Sequence, residues 1–108
     1  MSKTLPGITH LQFLILDALA GGERAGKDLR ARLAEHGVRN SAPAFYQMMA
    51  RLEASGFVEG WYEQSIVESQ IIKERRYTLA KAGTRALDET HSFYLSRAAS
   101  ARRRKAHA

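Results

Sequence analysis

Apolar positions in this chain of 108 residues follow two rhythms, one helical and one strand-like. Leu11, Leu14, Ile15, Ala18 and Leu19 recur at three- and four-residue steps, the period of an α-helix. Thr9 stands where a hydroxyl can cap a first turn, and Gly21-Gly22 breaks the pattern, so a helix is predicted to about Ala20. Phe13 and Leu16 widen the stripe beyond one packing face; such a helix is buried on two sides or meets a second subunit. Leu29 and Leu33 mark the inner face of a second helix, from about Ala25 to His36, with Lys27, Arg30, Arg32 and Glu35 mostly elsewhere. Gly37 ends it, as a residue free to take positive φ commonly does.

After the turn Val38-Arg39-Asn40, Ser41 is placed to cap a third helix, and Pro43 fits its first turn, where a missing N–H costs nothing. Phe45, Met49 and Leu52 form its inner face; Ala44, Gln47, Met48 and Arg51 occupy the other, and Gly56 closes it. The rhythm then changes. Phe57 to Glu63, rich in aromatic and β-branched residues, reads as a strand, and Lys73 to Leu79 as its return. Between them Gln64 to Ile72 is a hairpin tip without Gly or Pro, whose isoleucines suggest that the strands extend into it. From about Ala80 to about Ala101 the pattern is helical again, with Leu87, Tyr94 and Ala101 at heptad spacing and no later segment to cover their side. The order predicts a mainly α protein with a small β-hairpin. It reads as a winged helix-turn-helix over 8–79, a C-terminal dimerisation helix over 80–101 and a basic tail over 102–108.

Hydrophobic residues make up 44% of the chain, which suits one folded core. The net charge is +6, but Arg102-Arg103-Arg104-Lys105 supplies four positive charges and the remainder carries only +2. Such an end fits a polyanionic partner and equally a solubilising terminus. The absence of cysteine excludes disulfides, thiolate metal sites and thiol nucleophiles. The opening MSKTLPG has no apolar core of a signal peptide, and no apolar run approaches the ~18 residues that span a bilayer, so a soluble cytoplasmic protein is expected. His10, His36, His91 and His107 never pair at a helical ligand step, and Asp88-Glu89 with His91 reads as a polar helix flank rather than a metal site. With no glycine-rich phosphate loop and no catalytic constellation, neither an enzyme nor a cofactor is expected.

Several blocks in order resemble the PadR-like family of bacterial winged-helix transcriptional regulators, over about Leu11 to Leu95. The strongest is Ser41, then Phe45-Tyr46, Arg51-Leu52-Glu53 and Gly56-Phe57-Val58-Glu59; Trp61 follows, then Arg75-Arg76-Tyr77-Thr78-Leu79 and Ala82-Gly83. The departures are a wing tip without the usual glycine, arginine and proline, a second helix that keeps only Gly26 of a glycine-tyrosine signature, and Ala44 and Gln47 where a hydroxyl and a proline are common.

The resemblance implies a homodimeric DNA-binding repressor, released by a small molecule that is often aromatic or phenolic and binds near the dimer interface. Trp61, Tyr62, Phe93 and Tyr94 are the available stacking surfaces, with core packing as the alternative use of each. On the third helix Ser41 and Tyr46 offer hydroxyls to phosphates near the helix start, Gln47 offers an amide to adenine, and Arg51 reaches backbone or guanine. Ala44 lies on the same face. Solvation, a core-edge position for Tyr46 and a pairing of Arg51 near Glu53 or with Glu59 are the plainer uses. Lys73, Arg75 and Arg76 would clamp flanking DNA from the wing, although alternation lets at most two face one way. A two-fold dimer would set its reading helices about one DNA turn, ~34 Å, apart on a pseudo-palindromic operator. A different class of function rests on Ile66-Val67 and Ile71-Ile72: a protein-interaction module using an aliphatic wing tip, with only non-specific DNA contact through the basic tail.

Overall fold

A computed structural model describes residues 5–106. Its elements are α1 (His10–Leu19), β1 (Arg24–Ala25), α2 (Gly26–Glu35), α3 (Ala42–Ala54), β2 (Val58–Val67), β3 (Gln70–Leu79) and α4 (Lys81–Ala106).

Local chemistry sets most of the boundaries. Thr9 and Gln12 form a reciprocal cap: the Thr9 hydroxyl accepts from the Gln12 N–H at 3.1 Å, and the Gln12 amide oxygen accepts from the Thr9 N–H at 2.9 Å. The second helix begins at Gly26 rather than Ala25, because Ala25 is drawn into a short strand, and it starts without a side-chain cap. At the end of α3, Gly56 takes φ 78°, which lets the Phe57 N–H reach the Leu52 carbonyl at 3.0 Å. The same turn ends α2 at Gly37, where the Val38 N–H reaches the Leu33 carbonyl at 2.9 Å.

The sheet is antiparallel in the order β1-β3-β2. Two features of it go beyond the sequence reading, the first by departing from it and the second by carrying the expected extension of the strands almost to the turn. The first is β1, whose two residues pair with Tyr77 and Arg76; so short a strand leaves no alternation to detect. The second is the hairpin tip. Residues 64–72 are almost wholly strand, paired from Val58↔Leu79 out to Val67↔Gln70, and only Glu68-Ser69 turns. Both turn residues adopt positive φ (50° and 64°), the conformation that Asn-Gly usually supplies, so side chains without glycine's freedom accept it here. The β-branched Ile66, Val67, Ile71 and Ile72 favour extended chain strongly enough to push the turn to its minimum length.

One core fills the space between helices and sheet: Ile15, Leu16 and Leu19 of α1, Leu29 and Leu33 of α2, Phe45, Met49 and Leu52 of α3, Val58 and Tyr77 of the hairpin, and Leu87 of α4. Helix α1 touches α2, β3 and α4, which accounts for its wide apolar stripe as burial on two sides. Helix α4 runs past its core contact at Leu87 for five further turns, to Ala106. The basic run therefore continues the helix rather than trailing as a tail; Ala and Arg are good helix formers, and cations suit a helix C-terminus. His107 and Ala108, the end of the expected tail, lie outside the described residues.

Candidate nucleic-acid interface

Helix α3 presents a clear outer face. Its anchors Phe45, Met49 and Leu52 are fully buried, which turns Ala44, Gln47 and Arg51 to solvent one turn apart. Ser41 caps the helix by accepting from the Ala44 N–H at 3.2 Å, leaving its own O–H free to donate outward. Among the described residues Arg51 enters no ion pair; it meets neither Glu59 nor Glu53. Tyr46 is at the rim, 36% exposed, with its ring edge-on to Phe45 at 5.1 Å. Its hydroxyl lies over Gly26: a Cβ there would stand 2.8 Å from that oxygen, so Gly26 lets the start of α2 dock against α3.

The wing uses its charges differently. Strand alternation sets Lys73, Arg75 and Tyr77 on the face turned to α3, with Tyr62 opposite Arg75, and puts Arg76 on the other face. Arg75 donates to the Glu53 carboxylate at 2.5 Å and lies over the rings of Tyr62 (4.8 Å) and Tyr77 (5.5 Å). Gly60 makes this possible, because a Cβ at that position would fall within 1.9 Å of the Glu53 oxygen and 2.9 Å of the Arg75 guanidinium. Tyr77 is buried beneath them, and burial pushes its hydroxyl above the ordinary 10.0, partly offset by the Arg75 hydrogen bond. On the opposite face Arg76 is ringed by carboxylates: Glu74 at 3.0 Å, Glu63 at 3.1 Å and Glu23 at 3.9 Å.

Two grooves border α3. Between α3 and the wing lies one of about 480 Å³, lined by Tyr46, Ala50, Glu53, Tyr62, Lys73, Arg75 and Tyr77. The other, about 320 Å³, lies between α2, the α2–α3 turn and the start of α3; Lys27, Arg30 and Arg39 are its charged lining. Sequence reasoning missed those residues. The available signal was the strip Lys27, Arg30, Ala31, Ala34, which puts cations and small side chains on one helix face.

The four aromatic residues offered as stacking surfaces lie in separate places of the protomer. Trp61 and Tyr62 are on opposite faces of β2, while Phe93 and Tyr94 pack edge-on to each other at 5.1 Å, with His10 near Tyr94 at 6.5 Å. His91 sits 3.7 Å from Asp17 and edge-on to Phe13 at 5.2 Å, so its ring packs toward α1. Among the described residues no group of His, Asp and Glu side chains converges as metal ligands, and no helix is long and apolar enough to cross a membrane.

A helix-turn-helix whose second helix, α3, is capped by Ser41 and followed by an antiparallel hairpin is a winged helix-turn-helix. The chain matches no protein-family model and no curated protein. Solved structures place it more narrowly. It is similar to a PadR-like transcriptional regulator from Bacillus cereus, with TM-score 0.68 and 22% identity over 86% of this chain and 88% of that one. It resembles RosR from H. salinarum, with TM-score 0.65 and 24% identity over 84% of this chain and 77% of that one. PadR from Bacillus subtilis, solved in complex with operator DNA, aligns with TM-score 0.61 and 23% identity over 75% of this chain but only 46% of its own length. The fold is thus the PadR-like winged helix with its C-terminal helix.

Proposed function

We propose that this protein is a sequence-specific DNA-binding transcriptional regulator, a cytoplasmic homodimeric repressor of the PadR type. The observation that carries the reading is the outer face of α3, where Gln47 and Arg51, which pairs with no carboxylate among the described residues, stand exposed beside a capped helix start, on a fold shared with a protein solved on operator DNA. Ser41 and Tyr46 address phosphates, Gln47 and Arg51 address base edges, Ala44 allows close approach, and Lys73 extends from the wing. Nothing in the arrangement calls for catalysis.

The dimer reading is supported by α4. Tyr94 and Leu95 are 47% and 65% exposed at the level where α1 begins, and α4 continues past it. The molecule measures 66 × 26 × 22 Å, and its radius of gyration of 17.1 Å exceeds the ~13 Å of a compact chain this long. A second copy along the free part of α4, with α1 alongside, would cover that apolar surface; a monomer mass by light scattering at micromolar concentration would remove the dimer. Release by an aromatic effector is tested by titrating such compounds against DNA affinity and Trp61 fluorescence, and it loses its support if both stay unchanged.

Fluorescence anisotropy on a duplex from immediately upstream of the protein's own gene, against a scrambled duplex, tests the main reading. A preference of ~10³-fold or more establishes a specific regulator. Equal, weak binding to every upstream duplex tried would sink it.

A second reading is favoured by the wing tip. Ile66 and Ile71 face each other at 77% and 71% exposure, and Glu68 at the turn repels phosphate. In this reading the hairpin captures a protein partner, and DNA contact is non-specific. Replacing Ile66 and Ile71 by Ser separates the two, since DNA binding survives under the first reading and partner capture fails under the second.

A further inference from the structure

We propose that the DNA backbone is gripped in the cleft between α2 and the start of α3, by Lys27, Arg30 and Arg39, and that the wing arginines serve the fold instead. This rests on the DNA-binding reading and specifies where that contact is made.

The cleft has three cations and no carboxylate among its lining residues. Lys27, Arg30, Ala31 and Ala34 form one strip of α2, and the alanines between the charges leave the helix surface low enough for a phosphate chain to lie against it. Arg30 is held in place without being neutralised: its guanidinium donates to the Asn40 carbonyl at 3.0 Å, and the other N–H donors remain for a ligand. Arg39 is exposed and enters no ion pair among the described residues. Lys27 approaches Glu74 only to 3.8 Å and is 78% exposed, a pairing worth little in water. Asn40 adjoins Ser41, so the cleft opens beside the N-terminus of the reading helix, which itself favours an anion.

The wing offers the opposite arrangement. Moving Arg75 to a phosphate would strip Glu53 of its partner, and moving Arg76 would leave Glu23, Glu63 and Glu74 facing one another near a polyanion. Residues 58–79 hold four glutamates and three cations, whereas 26–40 hold four cations and two carboxylates. Attraction of DNA therefore falls on the second segment.

The test is a salt titration of DNA binding by the full-length protein, on both the upstream and the scrambled duplex. Variants are Lys27→Gln, Arg39→Gln, the two combined, and Lys73→Gln as the wing comparator; Arg30 stays because it ties the turn. Each of the first two should lower the log–log salt slope by about 0.9, and together they should weaken binding to both duplexes by roughly 10-fold or more. Thermal melting should match the parent, since both side chains are exposed. A double variant that melts normally and keeps the parental slope, while Lys73→Gln lowers it, would overturn the proposal and put the grip on the wing. A parent protein that binds neither duplex at low salt would overturn the DNA-binding reading along with it.

Discussion

The segment from α2 into the turn and the hairpin carry similar residues to opposite ends. Arg30 uses one donor to fix itself to a backbone carbonyl and keeps others for a ligand, and Arg39 has no carboxylate partner among the described residues. Arg75 is paired with one carboxylate of its own chain, Glu53, and Arg76 with three, Glu23, Glu63 and Glu74. By count the two are nearly matched, four basic residues over 26–40 against three over 58–79; the pairing is what separates them. What decides the use of a cation is whether the fold has already supplied its counter-charge.

The largest test of this contrast is Arg76→Ala. If Arg76 is structural, its removal leaves Glu23 and Glu63 without a cation and Glu74 with only the distant Lys27, and should cost about 2–3 kcal/mol in urea unfolding, while the salt slope of DNA binding holds. Unchanged stability with a reduced slope would break the comparison. Next comes Gly60→Ala, which places a Cβ against the Glu53–Arg75 pair and should cost about 2 kcal/mol by the same melt. Arg75, if released by this, would give the wing a DNA contact that the parent lacks, visible as a steeper salt slope. Gln47→Ala sharpens the difference between gripping and reading: discrimination of the upstream from the scrambled duplex should fall by about 1–2 kcal/mol, with no change in slope.

The smallest effect is a pH dependence. The Tyr77 hydroxyl is held above 10.0 by burial, so the folded protein keeps its proton more tightly than the unfolded chain. That contribution is complete below pH 10 and is lost as pH rises from there through the folded-state value. Alkaline unfolding followed by circular dichroism should show it, and Tyr77→Phe should flatten that part of the curve.

Much of this was written locally and so could be read from the residues. Ser41, Gly37 and Gly56 are placed by caps spanning only a few residues, and the burial of Phe45, Met49 and Leu52 follows from their spacing. The partners of charges were not legible. Glu53 and Arg75 are 22 positions apart and meet only because Gly60 leaves room between α3 and the hairpin. Glu23 reaches Arg76 only because β1 joins the sheet, and a strand of two residues leaves no periodic trace. The turn at Glu68-Ser69 was hidden for a related reason, since neither residue type announces positive φ. Of the candidate contacts, Ala44, Gln47 and Arg51 share one exposed face of α3 with Tyr46 at its rim, whereas the three wing cations divide between two faces of the sheet.

Strand β1 pairs with β3 only at Tyr77 and Arg76, so from Glu63↔Glu74 outward the hairpin is a ribbon of two strands with exposed side chains on both faces. Such a ribbon is barely stable in water by itself. Amide protons along it should trade with solvent in a gradient, fastest beside Glu68-Ser69 and slowest at Tyr77, well before the helices open. The outer hairpin is therefore the part of the molecule whose residence time in one shape is set by whatever touches it, and slowed exchange there would register contact even when no affinity can be measured.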